Sequence, residues 1–423
     1  MRIIADFHIH SKYSRATSPQ MDIDNLYRWA KLKGINLLGT GDFTHPAWLA
    51  HLKEKLEPIG NGFFRYKQSP LSPEKIHSSE VYFILTTEVS NIYSWGGKLR
   101  KVHNLIFAPS FPVVDKINQR LSEIGNLYAD GRPILGLSSY DLVKITLGVS
   151  DECLIIPAHA WTPWFSVFGS NSGFDSLEEC FRDLTSQIYA IETGLSSDPP
   201  MNWRLSTLDK ITLISNSDSH SLPKIGREAN VFEIEEDKFS YNELARIIKE
   251  KDKEKFLFTI EFFPEEGKYH WDGHRICGVR LNPWETKEKN LICPKCGRPL
   301  TIGVMHRVED LADRKSGEKP PKAIPYKHLV PLQEIIAEAK GQEVGSKSVQ
   351  SEYINLINQF GSEFKILLDL SEKEMAGMDS KILDGIIKVR EGKIKVLPGY
   401  DGVYGTIKIF ANKEEEKPQM KLF

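Results

Sequence analysis

The sequence is poor in cysteine and has no long hydrophobic run. Only five of its 423 residues are cysteines, and they are too few and too unevenly spaced for the disulfide framework of a small secreted protein. No apolar stretch reaches the roughly 20 residues that span a bilayer, and the apolar part of the opening MRIIADFHIH is too short for a secretory signal. We therefore expect a cytoplasmic protein with no membrane partner.

The sequence also lacks an excess of charge of one sign. Its 55 lysines and arginines nearly balance its 57 aspartates and glutamates. The whole chain therefore has no general attraction for nucleic acid, and such a partner would need a local basic surface. The length of 423 residues predicts two or three domains.

Short apolar segments alternate with helical patterns over residues 1–263. RIIADFHI and CLIIPAHA are typical of strands, whereas DIDNLYRWAKLKG is typical of a helix that begins near Asp22 or Asp24 and ends at Gly34. Nearly continuous apolar strands between helices indicate an α/β fold with a parallel sheet covered on both faces. About seven such strands favour a closed (β/α) barrel over an open sheet.

The composition changes at residue 264, where Gly, Pro, Cys and charged residues become frequent. Helical patterns follow in PLQEIIAEAK and KSVQSEYINLINQFG, and strand patterns follow in EFKILLDL and IKVLPGYDGVYGTIKIF. We predict a catalytic barrel at residues 1–263, a small zinc-binding module at 264–310 and an α+β C-terminal domain at 311–423. The C-terminal domain would bind DNA and end in a flexible tail.

Side chains that bind metals follow the ends of the predicted strands. His8 and His10 are two residues apart, so both point to one side of an extended chain. In a (β/α) barrel the carboxyl ends of the strands form one rim, where residues distant in sequence meet. Burying many ionisable groups together is costly without a cation. We therefore predict a metal centre with the candidate ligands His8, His10, Asp42, Glu88, His103, His159, Asp218 and His220.

The ligand types indicate the kind of ion and the chemistry. Imidazole mixed with carboxylate suits Zn²⁺, Mn²⁺ or Fe²⁺ better than Ca²⁺, and Mg²⁺ is a further candidate. Two or three ions about 3.5–4 Å apart would activate water and stabilise both oxygens of an in-line displacement at phosphorus. We assign a catalytic role to all of these candidates except His103, which we expect to act as a ligand only.

A second constellation has the spacing of a structural zinc site. His274 and Cys277 are separated by two residues, as are Cys293 and Cys296, and 15 residues lie between the pairs. We expect one zinc ion that folds a segment too short to bury its own core. His270 is a rival fourth ligand. Four protein ligands would leave no open position for catalysis.

The segment AWTPWFSVFGSNSGF covers residues 160–174 and begins directly after His159. It is rich in aromatic side chains for a loop. On a catalytic rim such a loop can form a pocket for a flipped base, which stacks on aromatic faces and is recognised by polar groups. The alternative is that the aromatics pack the loop against the domain, and Arg15 either contacts a phosphate or stays solvated. The candidates for base pocket and DNA contact are Arg15, Trp161, Trp164, Phe165, Asn171 and Phe174.

The motifs DFHIHSKYS, GTGDF, TTEVS, VHNLI, PAHA and SNSDSH resemble the successive motifs of the PHP (polymerase and histidinol phosphatase) superfamily. This resemblance implies a distorted (β/α)₇ barrel that holds a trinuclear metal centre for phosphoester hydrolysis. The sequence departs from the pattern in two ways. Arg15 and Ala16 stand where an Asp or His is frequent, and Phe43 replaces a frequent histidine ligand. Asp42 compensates, His45 reaches into the centre, or one metal site is weak.

Nearly the whole chain, including DGHRIC, CPKCG, GVMHRVEDLADR and VREGKIKVLPGYDGVYGTIKIF, resembles the endonuclease Q family. The resemblance implies a DNA repair endonuclease that hydrolyses the phosphodiester 5′ of hypoxanthine, uracil, xanthine and abasic sites. Damaged DNA would be its partner and the nucleoid its location. The zinc module and the C-terminal domain would then hold the duplex backbone.

Two other functions fit the same residues. A PHP-type phosphoesterase for a small molecule would have no affinity for lesion DNA, and a DNA-binding accessory protein with a degenerate metal centre would bind DNA without cutting it. The last five residues, QMKLF, resemble a shortened sliding-clamp-binding box, and the alternative is a tail without a partner. The residues that match the box are Gln419, Leu422 and Phe423.

Overall fold

The first part of the chain forms a mixed α/β structure, as predicted. The computed structural model describes residues 1–69 and 79–410. The strands up to residue 263 are β1 (Arg2–Asp6), β2 (Leu37–Gly39), β3 (Leu56–Pro58), β4 (Phe64–Tyr66), β5 (Tyr82–Trp95), β6 (Lys98–Ala108), β7 (Ile134–Leu135), β8 (Leu154–Pro157), β9 (Ala190–Glu192), β10 (Thr212–Ile214), β11 (Ala229–Glu233) and β12 (Phe256–Glu261).

The predicted helix after the first strand is confirmed. It begins after Asp22, whose side chain accepts a hydrogen bond from Asn25 N, and it ends at Gly34, whose φ of 85° favours glycine. No helix among the described residues is long and apolar enough to cross a membrane. The helices up to residue 263 are α1 (Ile23–Lys33), α2 (Pro46–Lys55), α3 (Phe111–Ser122), α4 (Ser139–Val149), α5 (Leu177–Phe181), α6 (Pro199–Asn202) and α7 (Tyr241–Glu250).

The central sheet is mixed, so the expectation of a parallel sheet is met only in part. β1 pairs in parallel with β2, and β2 with β5, but β5 pairs antiparallel with β6, and β6 with β8. The long β5–β6 hairpin forms because Gly96 and Gly97 both take the positive φ of a tight turn. β9 and β10 make a separate parallel pair.

Contacts beyond the strand ends link this pair to the central sheet. Ile9, after β1, bridges to Ser219, after β10. Ala160 N, after β8, donates to the carbonyl oxygen of Glu192 at the end of β9, at 2.9 Å. The segments that follow β1, β8, β9 and β10 therefore lie together at one edge, and this edge carries the candidate metal centre.

The part of the chain after residue 263 is a second mixture of strands and helices. Both predicted C-terminal helices are confirmed. β15 pairs in parallel with β12, so this part also adds a strand to the central sheet. The elements are β13 (Asp272–His274), β14 (Val279–Leu281), α8 (Pro283–Glu288), α9 (Val304–Leu311), β15 (Tyr326–His328), α10 (Leu332–Lys340), α11 (Lys347–Phe360), α12 (Ser380–Arg390), β16 (Lys395–Leu397) and β17 (Thr406–Lys408).

The strand predicted at EFKILLDL is wrong, because this segment contains a π-helical turn at Lys365–Asp369. Ile366 and Leu367 are buried there. Arg390 of α12 donates to the carbonyl oxygens of both residues and of Leu370. A guanidinium thus supplies hydrogen-bond donors to the buried carbonyl groups of this turn.

α1 and the C-terminal helices share one hydrophobic core. Trp29 of α1 stacks on Tyr353 of α11 with ring centroids 6.3 Å apart. At the same contact Lys33 Nζ lies 2.8 Å from Glu363 Oε2, and both side chains are almost completely buried. The C-terminal helices are therefore packed directly against the part of the chain that carries the metal ligands.

Candidate metal centre

Six candidate ligands come together at the edge described above. His8 and His10 follow β1, Glu88 lies in β5, His103 lies in β6, His159 follows β8 and Asp218 follows β10. His159 and Asp218 have φ values of 29° and 46°, in the left-handed region that residues other than glycine rarely adopt. Backbone strain of this kind is tolerated where the surrounding structure fixes the residue, and it is concentrated at functional sites.

The first group of ligand atoms belongs to His8, His10, Glu88 and Asp218, and these atoms all lie within 4.8 Å of one another. Nε2 of His8, Nε2 of His10 and Oδ1 of Asp218 are buried without a hydrogen-bond partner among the described residues. Buried polar atoms without partners are rare because their desolvation is not compensated. A divalent cation bound by these atoms would supply the missing partner, so the residues fit a metal site.

The second group consists of Glu88, His103 and His159. Oε1 of Glu88 lies 2.7 Å from His103 Nδ1 and 2.9 Å from His159 Nε2. Oε2 of the same carboxylate lies 3.2 Å from His10 Nε2, in the first group. Glu88 therefore connects the two groups, with one oxygen facing each.

The imidazoles of the first group are oriented by carboxylates on their other side. Nδ1 of His8 lies 3.0 and 3.1 Å from the two oxygens of Glu192, and Nδ1 of His10 lies 3.0 Å from Oδ1 of Asp42. Such bonds fix the tautomer and turn Nε2 toward the metal side. Glu192 is not among the ligands predicted from the sequence, although it follows the apolar run IYAI directly, as Glu88 follows VYFILTT.

The prediction that Asp42 is a metal ligand is not supported by its position, since it lies outside both groups. One oxygen contacts His10, and the other accepts hydrogen bonds from Ser11 N, Ser11 Oγ and Ser14 Oγ at 2.7 to 2.8 Å. Both oxygens are therefore occupied behind the imidazole. Asp42 therefore lies behind His10, on the side of the ring opposite to the Nε2 that belongs to the first group.

Three further residues at this edge also lie outside the two groups. His45 does not reach into the centre, because its Nδ1 accepts a hydrogen bond from Trp48 N at the start of α2 and its ring stacks on Tyr13. Phe43 is fully buried in the hydrophobic core. The His220 ring lies 4.4 Å from the His10 ring, but its Nδ1 contacts the Asp218 carbonyl oxygen at 2.9 Å.

The electrostatics of the centre follow from burying acids and imidazoles together. Burial lowers the pKa of His8, but the carboxylates of Glu192, Asp218 and Glu88 together raise it well above its usual value. Burial raises the pKa of Glu88, but His103, Arg132 and His8 hold it well below its usual range. The carboxylate is therefore ionised and available to a cation.

Arg132 is a second residue of the centre that is not predicted from the sequence. Its Nη1 donates to Oε2 of Glu88 at 2.9 Å. A basic residue in a loop gives no periodic signal, and Arg132 becomes recognisable only once the fold has brought it to Glu88. The centre therefore contains a permanent positive charge beside the carboxylate that connects both groups.

The predicted zinc ligands form a separate cluster. The ligand atoms of His274, Cys277, Cys293 and Cys296 all lie within 4.8 Å of one another. Burial raises the pKa of the Cys293 thiol, but the backbone N–H groups of Lys295 and Cys296 lower it to about 6. A thiolate is the form that binds zinc. His270, the rival ligand, is not part of this cluster.

The aromatic loop is divided between packing and exposure. Trp161 and Phe174 are only 1% exposed, and Trp161 Nε1 donates to Asn202 at 2.8 Å. Both rings are packed in the core, so a base could stack on either of them only after the loop repacks. Phe165 lies over the His103 ring, with centroids 4.8 Å apart. Asn171 is exposed.

Trp164 is the tryptophan of this loop that stays accessible, at 47% exposure. It meets Tyr269 edge to face, with centroids 6.0 Å apart. Both line a cavity of about 740 Å³ together with Tyr404 and Arg227. Thr162, also in the lining, lies 3.1 Å from Nδ1 of His159, so the cavity adjoins the metal centre.

Two remaining predictions concern the surface. The Arg15 side chain is 83% exposed, and its Nε lies 3.9 Å from Asp130, so it is available for a phosphate but holds none of the metal ligands. The proposed clamp-binding residues Gln419, Leu422 and Phe423 lie outside the described residues, and clamp binding stays a prediction.

Comparisons with other sequences identify relatives over most of the chain. A family model described as the MJ0043 C-terminal domain matches residues 331–393. The uncharacterized protein MJ0043 of Methanocaldococcus jannaschii is 32% identical over 293 residues, which are 66% of this chain but only 36% of that protein. The uncharacterized protein YqxK of Bacillus subtilis is 30% identical over 425 residues, which cover 96% of this chain and 99% of YqxK.

Two solved structures match at full length. The lesion-specific endonuclease PfuEndoQ from Pyrococcus furiosus has a TM-score of 0.84 and 32% identity, with 99% of this chain and 98% of that chain covered. Endonuclease Q in complex with a 27-mer duplex substrate, which has an abasic lesion at the active site, has a TM-score of 0.82 and 32% identity. That match covers 100% of this chain and 99% of the other.

Proposed function

The chain belongs to the endonuclease Q family, and on this premise we propose that it is a metal-dependent DNA repair endonuclease that cuts 5′ of deaminated bases and abasic sites. The observation that carries the proposal is the match along the whole chain to a lesion-specific endonuclease and to its complex with an abasic duplex. A buried two-group metal centre at the edge of the sheet is consistent with hydrolysis of a phosphodiester.

We assign the ions to the residues of the two groups. His8, His10, Glu88 and Asp218 would hold one ion, and Glu88, His103 and His159 would hold a second, with His220 beside them. Bound ions of this kind lower the pKa of water and stabilise charge at phosphorus. Zn²⁺, Mn²⁺, Fe²⁺ and Mg²⁺ remain the candidates, since imidazole and carboxylate ligands accept each of them.

The residues of the chain itself supply orientation and shape. Glu192 and Asp42 hold the imidazoles of His8 and His10 in place. The cavity beside His159 offers the indole of Trp164 and the phenol rings of Tyr269 and Tyr404 to a nucleotide that has left the duplex. An extrahelical base gains stacking on aromatic faces in such a pocket, and an abasic site costs little to turn out because it has lost its base pairing.

We further propose that β1, β2, β5, β6, β8, β9 and β10 form the distorted (β/α)₇ barrel of a catalytic domain at residues 1–263. The bridge from Ile9 to Ser219 and the hydrogen bond from Ala160 N to the Glu192 carbonyl support this proposal, because they join neighbouring members of such a ring. Residues 264–310 would be the zinc module, and residues 311–423 would be the C-terminal DNA-binding domain. Both would bind phosphates of the duplex.

The test is cleavage of labelled duplexes that carry a single deoxyinosine, deoxyuridine or abasic site, with end-group analysis of the product. With added Mn²⁺ or Mg²⁺ we expect one nick 5′ of the lesion, with 3′-hydroxyl and 5′-phosphate ends, and no nick in the undamaged duplex. His8→Ala should abolish nicking, whereas His51→Ala, a control on α2, should retain it. Hydrolysis of a small phosphomonoester without nicking would contradict the proposal.

A further inference from the structure

We propose that Arg132 is a catalytic residue that binds the scissile phosphate. This inference rests on the DNA-cleaving function proposed above. Arg132 follows α3 and precedes β7, and its Nη1 donates to Oε2 of Glu88 at 2.9 Å. A guanidinium therefore reaches the carboxylate that both groups of ligand atoms share, and a phosphate bound to ions in both groups would lie beside it.

The backbone around Arg132 fixes its place at the centre. Arg132 N donates to Oδ1 of Asp130 at 3.1 Å. Ser90 N, on β5 two residues after Glu88, donates to the Pro133 carbonyl oxygen at 3.0 Å. Because the main chain on either side is held, the guanidinium stays at the centre without depending on its pair with Glu88 alone. Its orientation is set before a substrate arrives, which is what charge stabilisation in a transition state requires.

Arg132 still has hydrogen-bond donors to offer. A guanidinium has five N–H donors in a planar fork. Among the described residues, Nη1 pairs with Glu88, whereas Nε and Nη2 have no partner and are not enclosed. The side chain is 26% exposed, against 0% for Glu88. One edge of the fork is therefore committed to the centre, and the other is accessible to a ligand that approaches from solvent.

A phosphodiester is the ligand that matches this edge. The planar fork pairs with two phosphate oxygens at once, which an ammonium group cannot do. In the hydrolysis, the oxygen of water forms a bond to phosphorus, the bond from phosphorus to O3′ breaks, and the proton from water ends on O3′. Negative charge grows on the non-bridging oxygens during this step. Arg132 stays protonated throughout and stabilises that charge.

The simpler role for Arg132 is to hold Glu88 for the ions. The two roles predict different results in metal-free protein, where a ligand-holding role has no effect on DNA. The probe is a lesion duplex with an uncharged methylphosphonate at the scissile position, compared with the normal duplex. We expect metal-free wild-type protein to prefer the charged duplex by on the order of tenfold or more, the size of a charge-assisted hydrogen bond. Arg132→Gln should bind both duplexes equally.

The second measurement is single-turnover nicking at saturating Mn²⁺, with the metal content of each variant determined. Arg132→Gln should slow the nick on the order of 100-fold or more with its metal content unchanged. Arg132→Lys, which keeps the charge but not the fork, should fall between the two. Free guanidinium ion should restore part of the rate to Arg132→Ala. Arg120→Gln, an exposed arginine on α3, is the matched control and should resemble wild type.

Two outcomes overturn the inference. Arg132→Gln overturns it if it nicks like wild type, or if it loses metal and activity while keeping the preference for the charged duplex. In either case nicking by wild-type protein would leave the proposed function intact. Failure of wild-type protein to nick any lesion duplex would instead contradict the proposed function, and the role of Arg132 would fall with it.

Discussion

The buried ion pair between Lys33 and Glu363 gives a sharp prediction about how the metal-binding part and the C-terminal helices are held together. Lys33 Nζ lies 2.8 Å from Glu363 Oε2, and the two side chains are 2% and 4% exposed. Tyr353 OH and Leu332 N also donate to Glu363, at 2.8 and 3.1 Å. The pair is therefore almost completely removed from water, and each charge is neutralised mainly by its partner.

The cost of breaking the pair depends on which partner is removed. Glu363→Gln keeps an acceptor for Tyr353 OH but leaves the ammonium of Lys33 buried without a counter-ion, at a cost of about 3–5 kcal/mol. Lys33→Met leaves a carboxylate that still accepts two hydrogen bonds, so we expect a smaller loss of about 2–3 kcal/mol. The double variant removes both charges and should lose less than the sum of the two by about 2 kcal/mol or more.

Native-state hydrogen exchange of amides in α1 and α11 measures these losses at the contact itself. Lys31→Met is the matched control, since Lys31 lies on the same helix but is exposed, and it should change the exchange free energy by less than about 0.5 kcal/mol. Additive losses in the double variant, or single losses as small as the control's, would refute the reasoning. The contact would then depend on the apolar core and not on the pair.

Three further predictions follow from other contacts. In Gly131→Ala the new Cβ would lie 2.3 Å from Oδ2 of Asp42 and would displace the carboxylate that contacts His10. We therefore expect nicking to fall at least about tenfold. Gly136→Ala is the control, because its new Cβ would have nothing within 4 Å, and it should nick like wild type. Cys293→Ser should lower the zinc content, measured by mass spectrometry, by one ion per chain, and it should increase proteolysis of the β13–β14 hairpin. An unchanged zinc content would contradict the assignment of Cys293 as a zinc ligand. Burial raises the pKa of Glu261 from 4.5 to about 7. Between these pH values the folded state binds a proton that the unfolded state has lost, so the free energy of unfolding falls as the pH rises. Urea denaturation should show a weaker fall for Glu261→Gln than for wild type, and identical pH profiles would exclude Glu261 as the source.

Candidate ligands could be predicted where a polar side chain stands at the end of an apolar run, because the same pattern indicates both a strand end and a site. His8, Glu88 and Asp218 each follow or end an apolar run, and polar side chains at such positions are exceptional enough to indicate a shared rim. The spacing of the zinc ligands is a local signal that needs no tertiary structure. The sequence alone could therefore predict that these side chains come together, as they do in the structure.

Other features depend on tertiary contacts that a single sequence does not encode locally. Asp42 has the residue type of a ligand, but three donors in Ser11 and Ser14 turn it toward the back of His10. Trp161 and Trp164 look equivalent in the loop, yet only the fold decides that the first is buried and the second exposed. Arg132 pairs with Glu88, which is 44 positions away in the sequence, and no periodic pattern links the two residues.

Glu88 has a consequence for how the chain takes up ions. Its two oxygens face different groups, so an ion bound by one group would draw electron density from the oxygen that faces the other group. Occupancy of the two groups would then be thermodynamically linked. Loading would be one joint equilibrium, and a titration fitted with two independent constants would misdescribe it.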